Sequence, residues 1–346
     1  MKIFKYETLA LFLIAFTILS CGDDDEIPIP ELRDRGEQQL ADKDSLQQFL
    51  STHYFNEELF VNNPSGNFTV DDIVIQQLDE GDTEPPAGNT LLINSSYLET
   101  KTTTYLDVSY EYYILRINQG GGANAPKFTD NVRLNYEGAL ANSDHSVFDS
   151  TPNPVTFDLL SLIYGWSLVI PEFNPASGFV DNGDGTETYI DSGLGVMFLP
   201  SGLAYFASAQ IGIPAYTNIY FKFNLFKTDQ NDHDSDGVPS YLEDLNNDLN
   251  VRNDNTDEDN LFNFGDADDD GDGISTFDEH VLTTYTISPG AAEPNLGIND
   301  FEYSRTVDDA TGVITLEVIT LIDSDGNGEF DYLESNIAVD NNTSNE

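Results

Sequence analysis

The sequence predicts an α+β fold followed by an irregular, strongly acidic region. Three observations lead there. Leu46, Phe49, Leu50 and Tyr54 share one helical face, and between about 68 and 228 runs of alternating or continuous β-branched and aromatic residues are separated by Gly-, Asn- and Pro-rich turns. After Lys227 the composition changes abruptly: residues 229–346 hold half of the chain's 62 acidic residues but only Arg252 and Arg305 of its 13 basic ones. A length of 346 residues and a hydrophobic fraction of 39% support cores for two ordinary domains. A formal net charge of -49 repels phosphate backbones and attracts multivalent cations, which excludes nucleic acid as a partner.

At the N-terminus, Lys2 and Lys5 precede an apolar run from Leu9 to Leu19 that is too short for a membrane-spanning helix and reads as a cleaved targeting signal over residues 1–20. Ile18-Leu19-Ser20-Cys21-Gly22 follows, and with Cys21 the only cysteine no disulfide framework is possible. This stretch resembles the lipobox of bacterial lipoproteins. The resemblance implies that Cys21 becomes the first mature residue, carries lipid and anchors the protein to a membrane. Asp23-Asp24-Asp25-Glu26 is similar to the surface-export signal of Bacteroidota lipoproteins and reads equally as a solvated tether. An outer-membrane lipoprotein, at the cell surface or the periplasmic face, is the expected localisation.

Residues 21–40, with Pro28 and Pro30, read as a flexible tether. Residues 41–109 form an extension made of the helix, with Asp42 or Asp44 as its N-cap, and strands over 71–78 and 89–98. Further strands are expected at 109–118, 131–140, 195–200 and 218–227, and a domain is expected to span 110–228. Asn182-Gly183-Asp184-Gly185, between Phe179-Val180 and Tyr189-Ile190, signals a hairpin insertion.

Within 110–228, the run Asn131-Val132-Arg133-Leu134-Asn135-Tyr136-Glu137-Gly138 with Val147-Phe148-Asp149-Ser150, then Leu162-Ile163-Tyr164-Gly165-Trp166, then Leu199-Pro200-Ser201-Gly202-Leu203-Ala204-Tyr205, Ile213-Pro214 and Asn218 to Leu225 occur in order. They resemble, over the whole domain, the FKBP family of peptidyl-prolyl isomerases. The resemblance implies an antiparallel sheet wrapped around one short helix and a pocket for proline-containing segments. Trp166 would form its floor, with Tyr136, Phe148, Ile163, Ile213 and Phe221 around it and backbone from Leu162 at the rim. Asp149 and the Tyr205 hydroxyl would be the polar contacts. Val155 in place of an aromatic wall, Phe206 in place of a glycine, Pro171 cutting the helix short and an insertion over about 174–193 depart from the family's pattern. Rotation about an X-Pro bond breaks no covalent bond, so no nucleophile or cofactor is expected in this chemistry.

Three windows of the acidic region fit a calcium loop, with oxygens at positions one, three, five and nine, glycine at six, a carbonyl at seven and glutamate at twelve. They are Asp232, Asp234, Asp236, Gly237, Val238, Ser240, Glu243; Asp268, Asp270, Asp272, Gly273, Ile274, Thr276, Glu279; and Asp323, Asp325, Asn327, Gly328, Glu329, Asp331, Glu334. Between the first two, Asp244, Asn246, Asp248, Asp254, Asp257, Asp259, Asn263 and Asp266 follow at short steps, and the region resembles thrombospondin type 3 repeats. Leu249 and Asn260 stand where such repeats carry glycine. Structural Ca2+ is the expected cofactor, zinc being disfavoured by the isolated His233 and His280 and the absence of a second cysteine. Strands are expected at 301–304 and 313–322. Two functions remain open at this point: an isomerase acting on exported or surface proteins, or a binding or adhesion module that grips proline-containing segments without turnover.

Overall fold

The computed structural model describes residues 32–342; the signal segment, Cys21 and most of the tether lie outside them. From Arg35 onward the chain folds as one compact unit. Among the described residues no helix is long and apolar enough to cross a membrane.

Helix α1 spans Arg35–Thr52 and buries Leu46, Phe49 and Leu50. It starts seven residues before Asp42, inside the stretch read as tether. Asp42 therefore sits in the helix interior and caps nothing: its Oδ2 accepts from Ser201 N at 2.9 Å and Ser201 Oγ at 2.6 Å. Strand β1 (His53–Phe55), helix α2 (Glu57–Asn62), strand β2 (Ile75–Gln77) and strand β3 (Thr90–Leu91) complete the extension as an antiparallel sheet ordered β2-β1-β3. The longer strands expected at 71–78 and 89–98 are cut short by 3-10 turns at Val70–Asp72 and Leu92–Asn94. The first is closed by Asp72 accepting from Thr69 N at 2.8 Å, which fixes the chain before a strand can extend.

Strands β4 (Leu98–Tyr105), β5 (Val108–Asn118), β6 (Asn131–Leu140) and β7 (Val147–Asp158) precede helix α3 (Tyr164–Val169). After it come the hairpin β8 (Gly178–Asp181) and β9 (Glu187–Ile190), then β10 (Gly193–Leu199) and β11 (Ile219–Asp229). Pairing is antiparallel throughout, in the order β4-β5-β10-β11-β6-β7. Residues alternate between the two faces of this sheet, and both faces are covered. Tyr112, Ile114, Met197, Leu199, Phe221 and Phe223 pack with Trp166, Val169 and Ile170 of α3 and the turn after it. Tyr113, Leu115, Val196, Phe198 and Tyr220 pack on the other side with Leu46, Phe49 and Leu50 of α1. Burial on both faces explains why these strands read as near-continuous apolar runs. Pro171 lies in the 3-10 turn Ile170–Glu172 that ends α3.

The acidic region holds helix α4 (Thr276–Glu279) and strands β12 (Val281–Ile287), β13 (Asp300–Val307) and β14 (Ile314–Thr320), ordered β12-β14-β13. Val238, Ile319, Leu321 and Tyr332 form a small core there. Strand β12, like β4 and β7, is not marked by the sequence pattern, because its Thr-rich stretch exposes one face and buries only Ile287.

Candidate isomerase pocket and cation loops

On the α3 side of the six-stranded sheet, a cavity of about 400 Å3 is lined by Tyr136, Phe148, Asp149, Phe157, Leu162, Trp166, Tyr205, Gln210, Ile211, Ile213 and Phe221. Every residue assigned to the pocket from the sequence lines it except Ile163, which is the N-cap of α3 and packs against the core instead. Trp166 is 4% exposed; its ring centroid lies 4.9 Å from that of Phe221 and 5.7 Å, edge-on, from that of Tyr136. Phe148 meets Phe221 at 5.6 Å with the planes at 90°. These are the offset and edge-to-face arrangements that ring quadrupoles favour.

Local backbone features aim these side chains. The β6–β7 ladder shifts register between Leu134 and Tyr136 and again between Gly138 and Ala139, and such irregularities bend the strand and re-aim its side chains. Phe157 joins the wall from the regular part of the ladder, where it pairs with Val132: it lies two residues beyond Val155, on the same face, with its ring 5.8 Å from Tyr136. The aromatic missing at 155 is thus supplied at 157. Gly138 is required where it stands, since a Cβ there would lie 2.6 Å from the Phe221 ring and 2.7 Å from that of Phe148. Phe206 adopts φ +48°, where a glycine would sit without strain, and is held by the Arg35 guanidinium 4.1 Å above its ring and by Tyr216 edge-on at 5.1 Å.

The polar groups are few. Tyr136 Oη donates to Asp149 Oδ2 at 2.5 Å. Burial first, and the hydrogen bond to Asp149 second, push the Tyr136 phenol above its ordinary value, and burial with the Asp149 charge raises the Tyr205 phenol. Both stay protonated donors at neutral pH. The 174–193 insertion forms the β8–β9 hairpin and does not line the pocket; Tyr189 stacks on Phe226 at 4.3 Å, beyond Phe221 along β11. A larger depression of about 720 Å3, lined by residues 123–128 with Asp130, Ser167, Leu168, Pro171, Thr228, Gln230 and Leu249, lacks the converging aromatic rings that mark the first.

The three loops repeat one backbone geometry. Gly237, Gly273 and Gly328 each take φ +97°, and their N–H groups donate to Asp232, Asp268 and Asp323 at 3.0, 3.1 and 3.0 Å. Position seven donates back to position five in each loop: Val238 to Asp236, Ile274 to Asp272 and Glu329 to Asn327. A helical turn then opens at position nine, at Ser240, Thr276 and Asp331, and returns the twelfth residue towards the loop. Residues 255–266 share part of this pattern: Leu261 donates to Asp259, Thr256 N to Asn263 Oδ1, and a 3-10 turn opens at Asn263. Between them, Leu249 adopts φ +64° and donates to Asp244, so the turn forms there without glycine.

Among the described residues, four groups of three carboxylates have oxygens within 4.8 Å of one another: Asp232, Asp234 and Asp236; Asp236, Glu243 and Asp269; Asp257, Asp259 and Asp266; Asp268, Asp270 and Asp272. Asp323 and Asp325 form no such group, since their third partner is Asn327, whose amide donates to Glu334 at 2.9 Å. The Ser240 and Thr276 hydroxyls, read as ninth-position ligands, instead accept from His233 N and Asp269 N at 3.1 and 3.2 Å. Many carboxylate oxygens here are buried without a hydrogen-bond partner, including both of Asp234 and both of Glu243 and one each of Asp236, Asp268, Asp270, Asp272 and Glu279. Burial and neighbouring carboxylates push Glu243 up to about 11 and Glu279 to about 9. Orphaned, crowded acceptors of this kind fit a hard cation with oxygen ligands.

Comparison with known proteins adds three findings. A family model described as BamM C-terminal matches residues 233–311. The peptidyl-prolyl cis-trans isomerase Mip of Coxiella burnetii (strain RSA 493 / Nine Mile phase I) is 37% identical over 70 residues, which is 19% of this chain and 28% of that relative, so the chain spans little more than a quarter of its length. Among solved structures, a peptidyl-prolyl cis-trans isomerase from Pseudomonas syringae pv. tomato str. DC3000 is 22% identical with a TM-score of 0.29, covering 37% of this chain and 81% of its own. FkpA from Escherichia coli is 24% identical with a TM-score of 0.29, covering 38% and 52%. The chain shows weak homology to FKBP-type peptidyl-prolyl isomerases, confined to a minor part of its length.

Proposed function

We propose that residues 110–228 form a peptidyl-prolyl cis-trans isomerase for exported or surface proteins, held on an outer membrane by a lipid on Cys21 and stiffened by calcium bound within residues 229–346. The observation that carries the isomerase reading is the convergence of Tyr136, Phe148, Phe157, Trp166 and Phe221 from four separate elements on one cavity. The barrier to rotation, about 18–20 kcal/mol, comes from amide resonance. A planar amide is more charge-separated than a twisted one, so an apolar, water-poor wall disfavours the planar form. The phenols of Tyr136 and Tyr205 and the Asp149 carboxylate, set in that wall, can orient the rotating segment and favour its twisted geometry.

In the acidic region the first loop would hold calcium through Asp232, Asp234, Asp236, the Val238 carbonyl and Glu243, and the second through Asp268, Asp270, Asp272, the Ile274 carbonyl and Glu279. Asp257, Asp259 and Asp266 would hold another ion. In the third loop Asp323, Asp325, Asn327, the Glu329 carbonyl and Glu334 are the donors, with Asp331 offering its unpartnered Oδ2. The bound ion supplies the positive charge that the crowded carboxylates otherwise lack.

The test follows cis-to-trans conversion of a proline peptide by the purified chain with and without calcium, beside Trp166→Ala. Acceleration that the variant loses by about tenfold or more, with its circular dichroism unchanged, is the expected result. A folded protein that binds the peptide but does not accelerate conversion would instead be a module that grips proline-containing segments.

A further inference from the structure

One carboxylate cluster joins two loops. Asp236 and Glu243 are positions five and twelve of the first loop, whereas Asp269 is position two of the second, a place with no ligand role in such loops; oxygens of all three lie within 4.8 Å of one another. The three side chains are 2%, 0% and 1% exposed. Glu243 has no hydrogen-bond partner on either oxygen, Asp236 none on Oδ2, and Asp269 none on Oδ1. Thr276 Oγ1 holds the other Asp269 oxygen at 3.0 Å and so aims Oδ1 towards the first loop. Neither arginine of the acidic region answers this charge: Arg252 donates to the Leu160 carbonyl, and Arg305 pairs with Glu293 and Glu302. The corresponding position is His233 in the first loop, Thr256 in the 255–266 repeat and Ser324 in the third, so Asp269 alone among these repeats places a carboxylate there.

We infer that Asp269 is a ligand of the first loop's divalent cation, so that this site is built from two loops and its ion ties residues 232–243 to residues 268–279. The inference rests on the calcium reading of the loops. It also resolves a shortfall in the donor set. With the Ser240 hydroxyl engaged by His233, the first loop loses its ninth-position ligand, and Asp269 restores a charged oxygen. Three buried carboxylates around one ion satisfy acceptors that water cannot reach, and calcium accepts six to eight oxygens.

Calcium titration of the full chain by calorimetry tests this with Asp269→Asn beside Asp309→Asn, which removes the same charge from an exposed turn between β13 and β14. The expected result is that Asp269→Asn weakens one site by about tenfold or more while Asp309→Asn titrates like the unaltered chain. Identical titrations for both variants would overturn the inference while leaving the loop reading intact. An unaltered chain that takes up no calcium would remove both. A second measurement covers a misfolded Asp269 variant: amide hydrogen exchange in calcium after Glu243→Gln. A shared ion requires faster exchange over 268–272 as well as 232–243, and loss of protection confined to 232–243 would overturn it.

Discussion

Gly138 faces two aromatic rings with no room for a methyl group. A Cβ there would meet Phe221 at 2.6 Å and Phe148 at 2.7 Å. Gly138→Ala should therefore lower stability by about 1–3 kcal/mol through overpacking, and should lower peptide turnover more than stability because the displaced rings form the pocket. Thermal unfolding and the conversion assay on the same sample check this. Phe206 offers a different balance, since its left-handed φ of +48° is offset by contacts with Arg35 and Tyr216. Phe206→Ala keeps the strain and discards the contacts, whereas Phe206→Gly discards both. The alanine variant should melt below the glycine variant, by about 1 kcal/mol of stability; the reverse order would show that the left-handed backbone at this position carries no strain. Asp42 shows what local pattern cannot reveal. It reads as a helix cap, yet its carboxylate closes the turn at Ser201 from 159 residues away in sequence.

At the scale of elements, the aromatic segments around the pocket were legible because each carries its motif within a few residues. Phe157 and Ile211 were not, since the place of Phe157 depends on its long-range pairing with Val132 in the β6–β7 ladder and that of Ile211 on the tight turn where Gln210 and Ile213 bridge. The same holds for Leu249, whose left-handed backbone forms a turn that sequence assigns to glycine. Asp269 was missed because spacing within a loop says nothing about a neighbouring loop. The β8–β9 hairpin was legible from its Asn-Gly turn, and its packing on Phe226 and Lys227 shows what it does not do. Replacing residues 179–189 by a short Gly-Ser linker should leave the rate of peptide conversion within about twofold, at a modest loss of stability from the exposed Phe226 face. A large loss of turnover would mean that the hairpin reaches the substrate.

For the whole molecule, the buried carboxylate clusters couple stability to pH and, on the proposed calcium reading, to calcium. Burial, then neighbouring carboxylates, raise Glu243 to about 11, and burial raises Asp269 to about 8. Without metal the folded form therefore holds protons that the unfolded chain, with carboxylates titrating near about 4, has already released. Stability must then fall as pH rises from that value towards the raised ones. In chelator, the acidic region should melt at a lower temperature at pH 8 than at pH 5, and calcium should raise the melting temperature more at pH 8, where the ligands are charged. A metal-free melting temperature that does not change between these pH values would contradict the burial of the clusters.

Strand β11 links these two halves directly. It runs from Ile219 to Asp229, carries Phe221 in the pocket wall, and ends three residues before Asp232. It is also paired on both sides, to β10 and to β6, over most of its length. A pull applied to the acidic region along the strand direction would load both ladders in shear, so that many hydrogen bonds resist together instead of parting one at a time. Any load on the acidic loops reaches the pocket wall as tension along a single strand, and the rate at which that strand slips, rather than the equilibrium stability of the fold, sets how long the pocket keeps its shape under load.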